Sequence, residues 1–380
     1  MVRETLSSAA NEARVARRRG VGLLDMLRDV SASSCDEAWT AFAPATRLIQ
    51  SAGNGNRFHY HAEAQMNGRH GRRARLFAVL AAAALGIAGC GNGTQSSSTT
   101  TSSAGQGGTK LAVVASINAW GSIAAQLGGD RMQATSIITS PDTDPHDYEP
   151  SAGDARTVSD AKVVIENGIG YDTWADKLFA ANPNPQRTLV NVGDVVGVAE
   201  GGNPHQWYSP DAVAKVADAI TAAYKKADPG DAAYFDQQHQ QFLNEGLSKY
   251  HSLIADIKAK YAGAPVGASE SIFSPLSDAL GLDLITPPTF LKAISEGTDP
   301  SPADKATVDQ QISSKAIKVY VFNSQNSTPD VQAQVDAAKK QGIPVTEVTE
   351  TLSPAGASFQ DWQSAQLSAL ADALHTATGK

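Results

Sequence analysis

Two stretches carry a histidine in the same local setting: TDPHDYEP at residues 143–150 and NPHQWYSP at residues 203–210. In each, the imidazole directly follows a proline, an aromatic stands two residues on, and a second proline lies beyond. Proline fixes φ, so such a loop loses less entropy when a ligand orders it. A neutral imidazole is also the commonest side-chain metal ligand. His146 and His205 are therefore candidates for metal ligation. The other histidines beyond residue 89 are His239, His251 and His375. They stand in polar helical patterns and read as solvated surface residues.

Two imidazoles need anionic partners to neutralise a divalent cation. In open α/β sheets, ligands bind beyond the carboxyl ends of strands. Acids that directly follow apolar, β-branched runs are thus the candidates. His146 itself follows ATSIITS, Glu270 follows APVGAS and Glu350 follows IPVTEV. Glu347 competes with Glu350, but it is an odd number of residues away, so strand alternation turns it to the opposite face. Sequence alone leaves that choice open. Nitrogen and oxygen donors together suit manganese, zinc or ferrous iron. Thiolates do not enter, because the cysteines are Cys35 and Cys90 and both lie near the N-terminus.

These residues need a frame that brings them together. From Lys110 onward, short β-branched runs alternate with helical patterns: LAVVASI, then AWGSIAAQLGG; ATSIITS, then SAGDARTVSD; AKVVIENG, then YDTWADKLFAAN; and then RTLVNV. This alternation predicts a parallel α/β sheet. Ser209 and Pro210 read as the N-cap and first residue of a helix running to about residue 227. In residues 229–262, Tyr234, Leu243, Leu247, Tyr250, Ile254 and Ile257 recur at helical spacing, with no proline after Pro229. A single helix of about 30 residues would measure roughly 45 Å. It would form a spine between two lobes, whereas a break near Gly246 would give two helices. The α/β pattern restarts at APVGAS and closes with the helix SFQDWQSAQLSALADALHTA, and LDLITPPTFL reads as extended. The expected fold is α/β, with two lobes, each a parallel sheet flanked by helices, at 110–228 and 263–380. One long, rigid linking helix at 229–262 joins them.

The first 109 residues are of another kind. Residues 1–89 carry 12 Arg and no Lys against seven acids, whereas residues 90–380 have a net charge of −13. So acidic a body should repel polyanions and tolerate cations, and no nucleic-acid partner is expected. Arg69, Arg72, Arg73 and Arg75 precede an apolar run from Leu76 to Ile87. That run is too short to span a bilayer, and it fits the apolar region of a signal peptide at 66–89. The segment ends in IAGC, which resembles a bacterial lipobox and implies lipid attachment at Cys90. An acyl anchor holds a protein on a membrane without spanning it. A signal peptide leads its chain, so Met66 is expected as the start and residues 1–65 as an extension of doubtful standing. Residues 91–109 are Gly, Ser and Thr with almost nothing apolar. They are expected to act, with Cys90, as a flexible tether with a reach of roughly 25 Å.

The segments ASINAWGSIAAQLGGD, DPHDYEP, VVIENGIGYDTW, NPHQWYSP, TDPSPAD and SFQDWQSAQLSALADAL occur in this order. In them, residues 110–378 resemble the zinc/manganese solute-binding lipoproteins of ABC transporters, the cluster A-I proteins. The resemblance implies two α/β lobes, a rigid linking helix and one divalent metal, zinc or manganese with iron also possible, carried between the lobes. It implies delivery of that metal to a membrane permease driven by a cytoplasmic ATPase, with no catalysis and with the protein acting as a monomer. It places the ligands at His146, His205, Glu270 and Glu350. The fourth position in the family is usually Asp, so the longer Glu350 is a departure. Residues 147–204 contain no histidine, so the His-rich loop of many zinc importers in that family is missing. Two carboxylates lean toward manganese, and zinc also accepts them. Three other roles compete. A surface adhesin with a structural metal would need an exposed apolar patch. A metal-dependent hydrolase would need an open coordination position and a general base. A binder of metal chelates would need a wide aromatic or basic pocket.

Overall fold

A computed structural model describes residues 110–143, 145 and 148–380. The extension, signal peptide, Cys90 and tether expected from the sequence lie outside the described residues, as does His146.

The first half begins with β1 (Leu111–Ile117), α1 (Asn118–Gly128), β2 (Met132–Ile138) and α2 (Ala152–Asp160). It continues through β3 (Val163–Glu166), α3 (Thr173–Ala181), β4 (Thr188–Asn191), α4 (Val192–Val196) and α5 (Pro210–Ala227). The strands form one parallel sheet in the order β2-β1-β3-β4. All four residues of β3 are buried, as expected for a parallel strand covered on both faces. Ser209 caps α5 by accepting from the Ala212 amide, and Pro210 occupies the first turn, as the sequence predicts.

Residues 229–262 follow neither simple expectation. Helix α6 (Ala232–Gln241) runs into a π turn, Phe242–Gly246, and α7 (Ser248–Tyr261) follows. The Leu247 amide donates to the Phe242 carbonyl at 2.9 Å, the i to i+5 bond that defines the turn. The backbone stays helical while its face rotates, so Phe235 before the turn and Phe242 at its start are buried, and Tyr250 and Ile257 after it. Helix α6 packs on α1 and α5.

The second half repeats the scheme: β5 (Pro265–Ala268), α8 (Ser274–Leu280), β6 (Asp283–Leu284), α9 (Pro288–Ser295) and α10 (Pro302–Ser313). Strand β7 (Val319–Asn323), α11 (Pro329–Lys340), β8 (Val345–Val348) and α12 (Phe359–Thr378) complete it. The strand order is β6-β5-β7-β8, again parallel. Helix α7 packs on α8 and α12. One expectation fails here. LDLITPPTFL is not extended throughout, since only Asp283 and Leu284 pair, and α9 starts at Pro288. Two adjacent prolines read as extended chain, but the second sits in the first helical turn, where its missing N–H costs nothing. Phe290, Leu291 and Ile294 then turn one helical face into the core.

A chain of aromatic rings crosses from one half to the other. Trp120 meets Trp207 at 6.4 Å, Trp207 meets Tyr208 at 6.4 Å, Tyr208 meets Trp362 at 5.7 Å and Trp362 meets Phe359 at 6.0 Å. All five rings are buried. Aromatic pairs of this kind, three edge-on and one tilted, contribute about 0.5–1.5 kcal/mol each beyond their burial. The ladder fixes the floor on which His205 stands. Among the described residues, no helix is long and apolar enough to cross a membrane.

Candidate metal centre

His205 is fully buried. Its ring stands edge-on to Trp207 at 5.3 Å and to Tyr171 at 6.0 Å. Its loop is pinned by the Asn167 amide, which donates to the Pro204 carbonyl at 2.9 Å while its Oδ1 accepts from the Trp120 indole at 2.9 Å. Asn203 Oδ1 lies 2.8 Å from His205 Nδ1. The Asn203 amino group is committed to the Ser271 carbonyl at 2.7 Å, so its oxygen must face the ring. An oxygen acceptor there puts the proton on Nδ1 and leaves the Nε2 lone pair free. Nε2 is buried and makes no hydrogen bond among the described residues. It stands 3.4 Å from Glu350 Oε1, which is close, but the pair does not meet hydrogen-bond geometry. An orphaned imidazole nitrogen facing a carboxylate is the arrangement expected of a metal ligand.

Glu270 and Glu350 reach the same point from the second sheet. Each lies two residues beyond the end of its strand, β5 or β8. Glu270 is almost wholly buried, and both its oxygens accept amide donors: Oε1 from Asn323 at 2.6 Å and Oε2 from Asn326 at 2.7 Å. Burial first, and the neighbouring Glu350 charge second, push the Glu270 carboxyl up to about 8, against the pull of the two amides. Glu350 Oε1 accepts from Asn323 at 3.0 Å and Oε2 from the Tyr171 hydroxyl at 2.9 Å. Its backbone amide donates to Gln325 Oε1 at 2.8 Å. Tyr171 belongs to the first half, so the two sheets meet at this carboxylate. One donor atom each from His205, Glu270 and Glu350 falls within 4.8 Å of the other two.

Three of the four residues marked by the sequence thus converge, and the fourth, His146, lies outside the described residues. Pro145 and Tyr148, on either side of it, are held in place. Pro145 is buried and its carbonyl accepts from the Trp174 indole at 2.9 Å. Tyr148 packs on Trp174 at 4.8 Å and donates to Asp154 at 2.8 Å. Glu347 is exposed, as strand alternation requires. His251 and His375 are exposed, while His239 is half-buried with Nε2 2.7 Å from Asp218. A cleft of about 700 Å³ opens beside Glu350, lined by Asp142, Thr143, Ser324, Gln325 and Asn326 among others. Sequence reasoning missed Tyr171 and the amide run of Asn323, Gln325 and Asn326. The run was open to the rule that found the acids, since NSQN sits at the end of the apolar run KVYVF.

Residues 113–373 match the family model described as zinc-uptake complex component A, periplasmic (ZnuA). The chain belongs to this family. A relative from Bacillus subtilis (strain 168), named high-affinity zinc uptake system protein ZnuA, is 24% identical over 317 residues. That alignment covers 78% of this chain and 96% of the relative. A Streptococcus pneumoniae relative, named manganese ABC transporter substrate-binding lipoprotein PsaA, is 27% identical over 241 residues, or 58% of this chain and 75% of its own length. Among solved structures, a Mn-bound periplasmic metal-binding protein from Candidatus Liberibacter asiaticus superposes with a TM-score of 0.58 at 20% identity. It covers 70% of this chain and all of its own. At that identity the likeness speaks for the family's two-sheet fold.

Proposed function

We propose that this protein is the extracytoplasmic solute-binding component of an ABC importer for a divalent transition metal. The observation that carries the reading is the buried, unpartnered Nε2 of His205 facing two carboxylates, with all three donors within 4.8 Å. His205, Glu270 and Glu350 would be three ligands and His146 the fourth. Such a set neutralises a divalent cation and offers only nitrogen and oxygen, which suits zinc or manganese, with ferrous iron also accommodated. The metal is cargo. A permease with a cytoplasmic ATPase would receive it, and a lipid on Cys90 with the tether at 91–109 would hold a monomeric body at the membrane face. The lobes at 110–228 and 263–380, joined through 229–262, would act as one rigid holder.

The chain's own residues account for capture. Asn203 keeps His205 in the tautomer whose lone pair faces the site. Glu270 loses its proton when a cation supplies the charge that burial denies it. The test is elemental analysis of the protein purified without chelators, followed by competition between zinc and manganese, and the same on His205→Ala and Glu350→Ala. One equivalent of metal in the wild type, lost in both variants, is expected. A wild type that takes up neither ion refutes the reading.

A further inference from the structure

We propose that Asn323 sets the separation of Glu270 and Glu350, and through it the choice between zinc and manganese. This rests on the metal-binding reading above. Asn323 is fully buried and is the last residue of β7. Strand β7 lies between β5 and β8, the two strands beyond whose ends the carboxylates stand. Its side chain is therefore placed between them by the order of the sheet. The amino group donates to Glu270 Oε1 at 2.6 Å and to Glu350 Oε1 at 3.0 Å. The amide cannot turn over, because Oδ1 accepts from the Gln325 amide at 3.0 Å. Its backbone N–H donates to Ser269 Oγ at 3.0 Å, which ties β7 to the residue preceding Glu270.

The other partners act on one acid each. Asn326 holds Glu270 Oε2, and Tyr171 holds Glu350 Oε2. Gln325 Oε1 accepts from the backbone amides of Glu350 and Thr351 at 2.8 and 3.0 Å. Among these groups, Asn323 alone touches both carboxylates, on the two oxygens of the same name. When a cation has displaced the Glu270 proton and both acids are charged, a neutral donor shared between them offsets their repulsion and fixes how far apart the oxygens stand. Held so, each carboxylate offers a metal a fixed edge, which favours a compact tetrahedral site such as zinc takes. Freed, each can swing to present two oxygens, which raises the coordination number toward the oxygen-rich octahedral surroundings that manganese accepts.

The test measures zinc and manganese dissociation constants of the full-length protein, by competition with a chromophoric chelator, for wild type, Asn323→Leu and Asn323→Ser. Leu keeps the volume and removes both donors, while Ser keeps one. Losing a group that holds a metal ligand in place weakens metal binding about 10–100-fold. Asn323→Leu should lose zinc affinity in that range and manganese affinity by clearly less, shifting the zinc-to-manganese ratio by about tenfold. Asn323→Ser should fall between Leu and wild type. If the ratio stays at the wild-type value while both affinities fall together, Asn323 merely supports the fold and the proposal is overturned. Unchanged affinities overturn it as well. Should the Leu variant fail to fold by circular dichroism, the Ser variant carries the same reading of the ratio. A wild type that binds no metal would refute the functional reading instead, so the two failures are told apart.

Discussion

Glu270→Gln should flatten the pH dependence of stability in the metal-free protein. The Glu270 carboxyl keeps its proton up to about pH 8 in the folded chain, against an ordinary value of 4.5, because it is buried beside Glu350. Between those values the unfolded chain has released this proton and the folded chain has not. Stability therefore falls as pH rises through the window, and the loss levels off above pH 8. From pH 5 to 8 the two values correspond to a loss of roughly 3 kcal/mol from this one group. The amide that replaces the carboxyl in the variant has no proton to lose. It meets an Asn donor at either oxygen position, which adds a fixed cost, but a fixed cost moves the whole curve and leaves its slope alone. Glu166 is also pushed up to about 8, but it is present in both proteins and cancels in the comparison. Urea denaturation of the metal-free wild type and variant at pH 5, 6.5 and 8 reads the difference. Parallel curves would refute the assignment of a proton to Glu270.

Three further outcomes are expected. Glu166→Gln should remove a loss of stability between pH 5 and 8 of roughly 3 kcal/mol, the figure the same two values give for Glu270, and leave metal uptake intact. Glu166 is buried beside Asp176 and Asp172, and its cost, like that of Glu270, grows as pH rises toward its folded value; loss of metal in this variant would contradict its separation from the site. Tyr208→Phe should cost about 1–3 kcal/mol in urea denaturation, because the Tyr208 hydroxyl joins Gln366 Oε1 at 2.8 Å and the Thr349 carbonyl at 2.9 Å inside the core; a neutral result would mean that both acceptors find other partners. The radius of gyration from X-ray scattering should be the same with and without zinc, since the buried aromatic ladder already joins the halves; a clear contraction on adding metal would show a hinge.

The alternation of strands and helices was readable because parallel strands buried on both faces leave short apolar runs, and because helix starts carry chemistry of their own. Ser209 with Pro210 and Ser301 with Pro302 mark two starts in the sequence, and both serines accept the capping bond. Where two rules gave opposite answers, the reading failed. Pro287–Pro288 reads as extended by backbone preference, yet the burial of Phe290, Leu291 and Ile294 demands a helix, and the helix prevails. The π turn at Phe242–Gly246 falls where Gly246 suggested a break, but its kind was not legible, since one extra residue per turn hides within the scatter of a helical pattern.

The site divides along a different line. That acids beyond strand ends converge is a rule about single strands, so Glu270 and Glu350 could be picked one at a time. What stands between them is a matter of strand order, which no local pattern encodes. Only with β7 set between β5 and β8 does Asn323, 53 residues after one acid and 27 before the other, become the group they share. Tyr171 is further removed still, 179 residues from the carboxylate it holds. Ligand types are therefore local properties that a sequence displays, whereas the donors that fix their spacing are properties of topology. If the choice of metal resides in that spacing, two chains with the same four ligands can prefer different ions. The residue at the end of the central strand would then be the place to look for the difference.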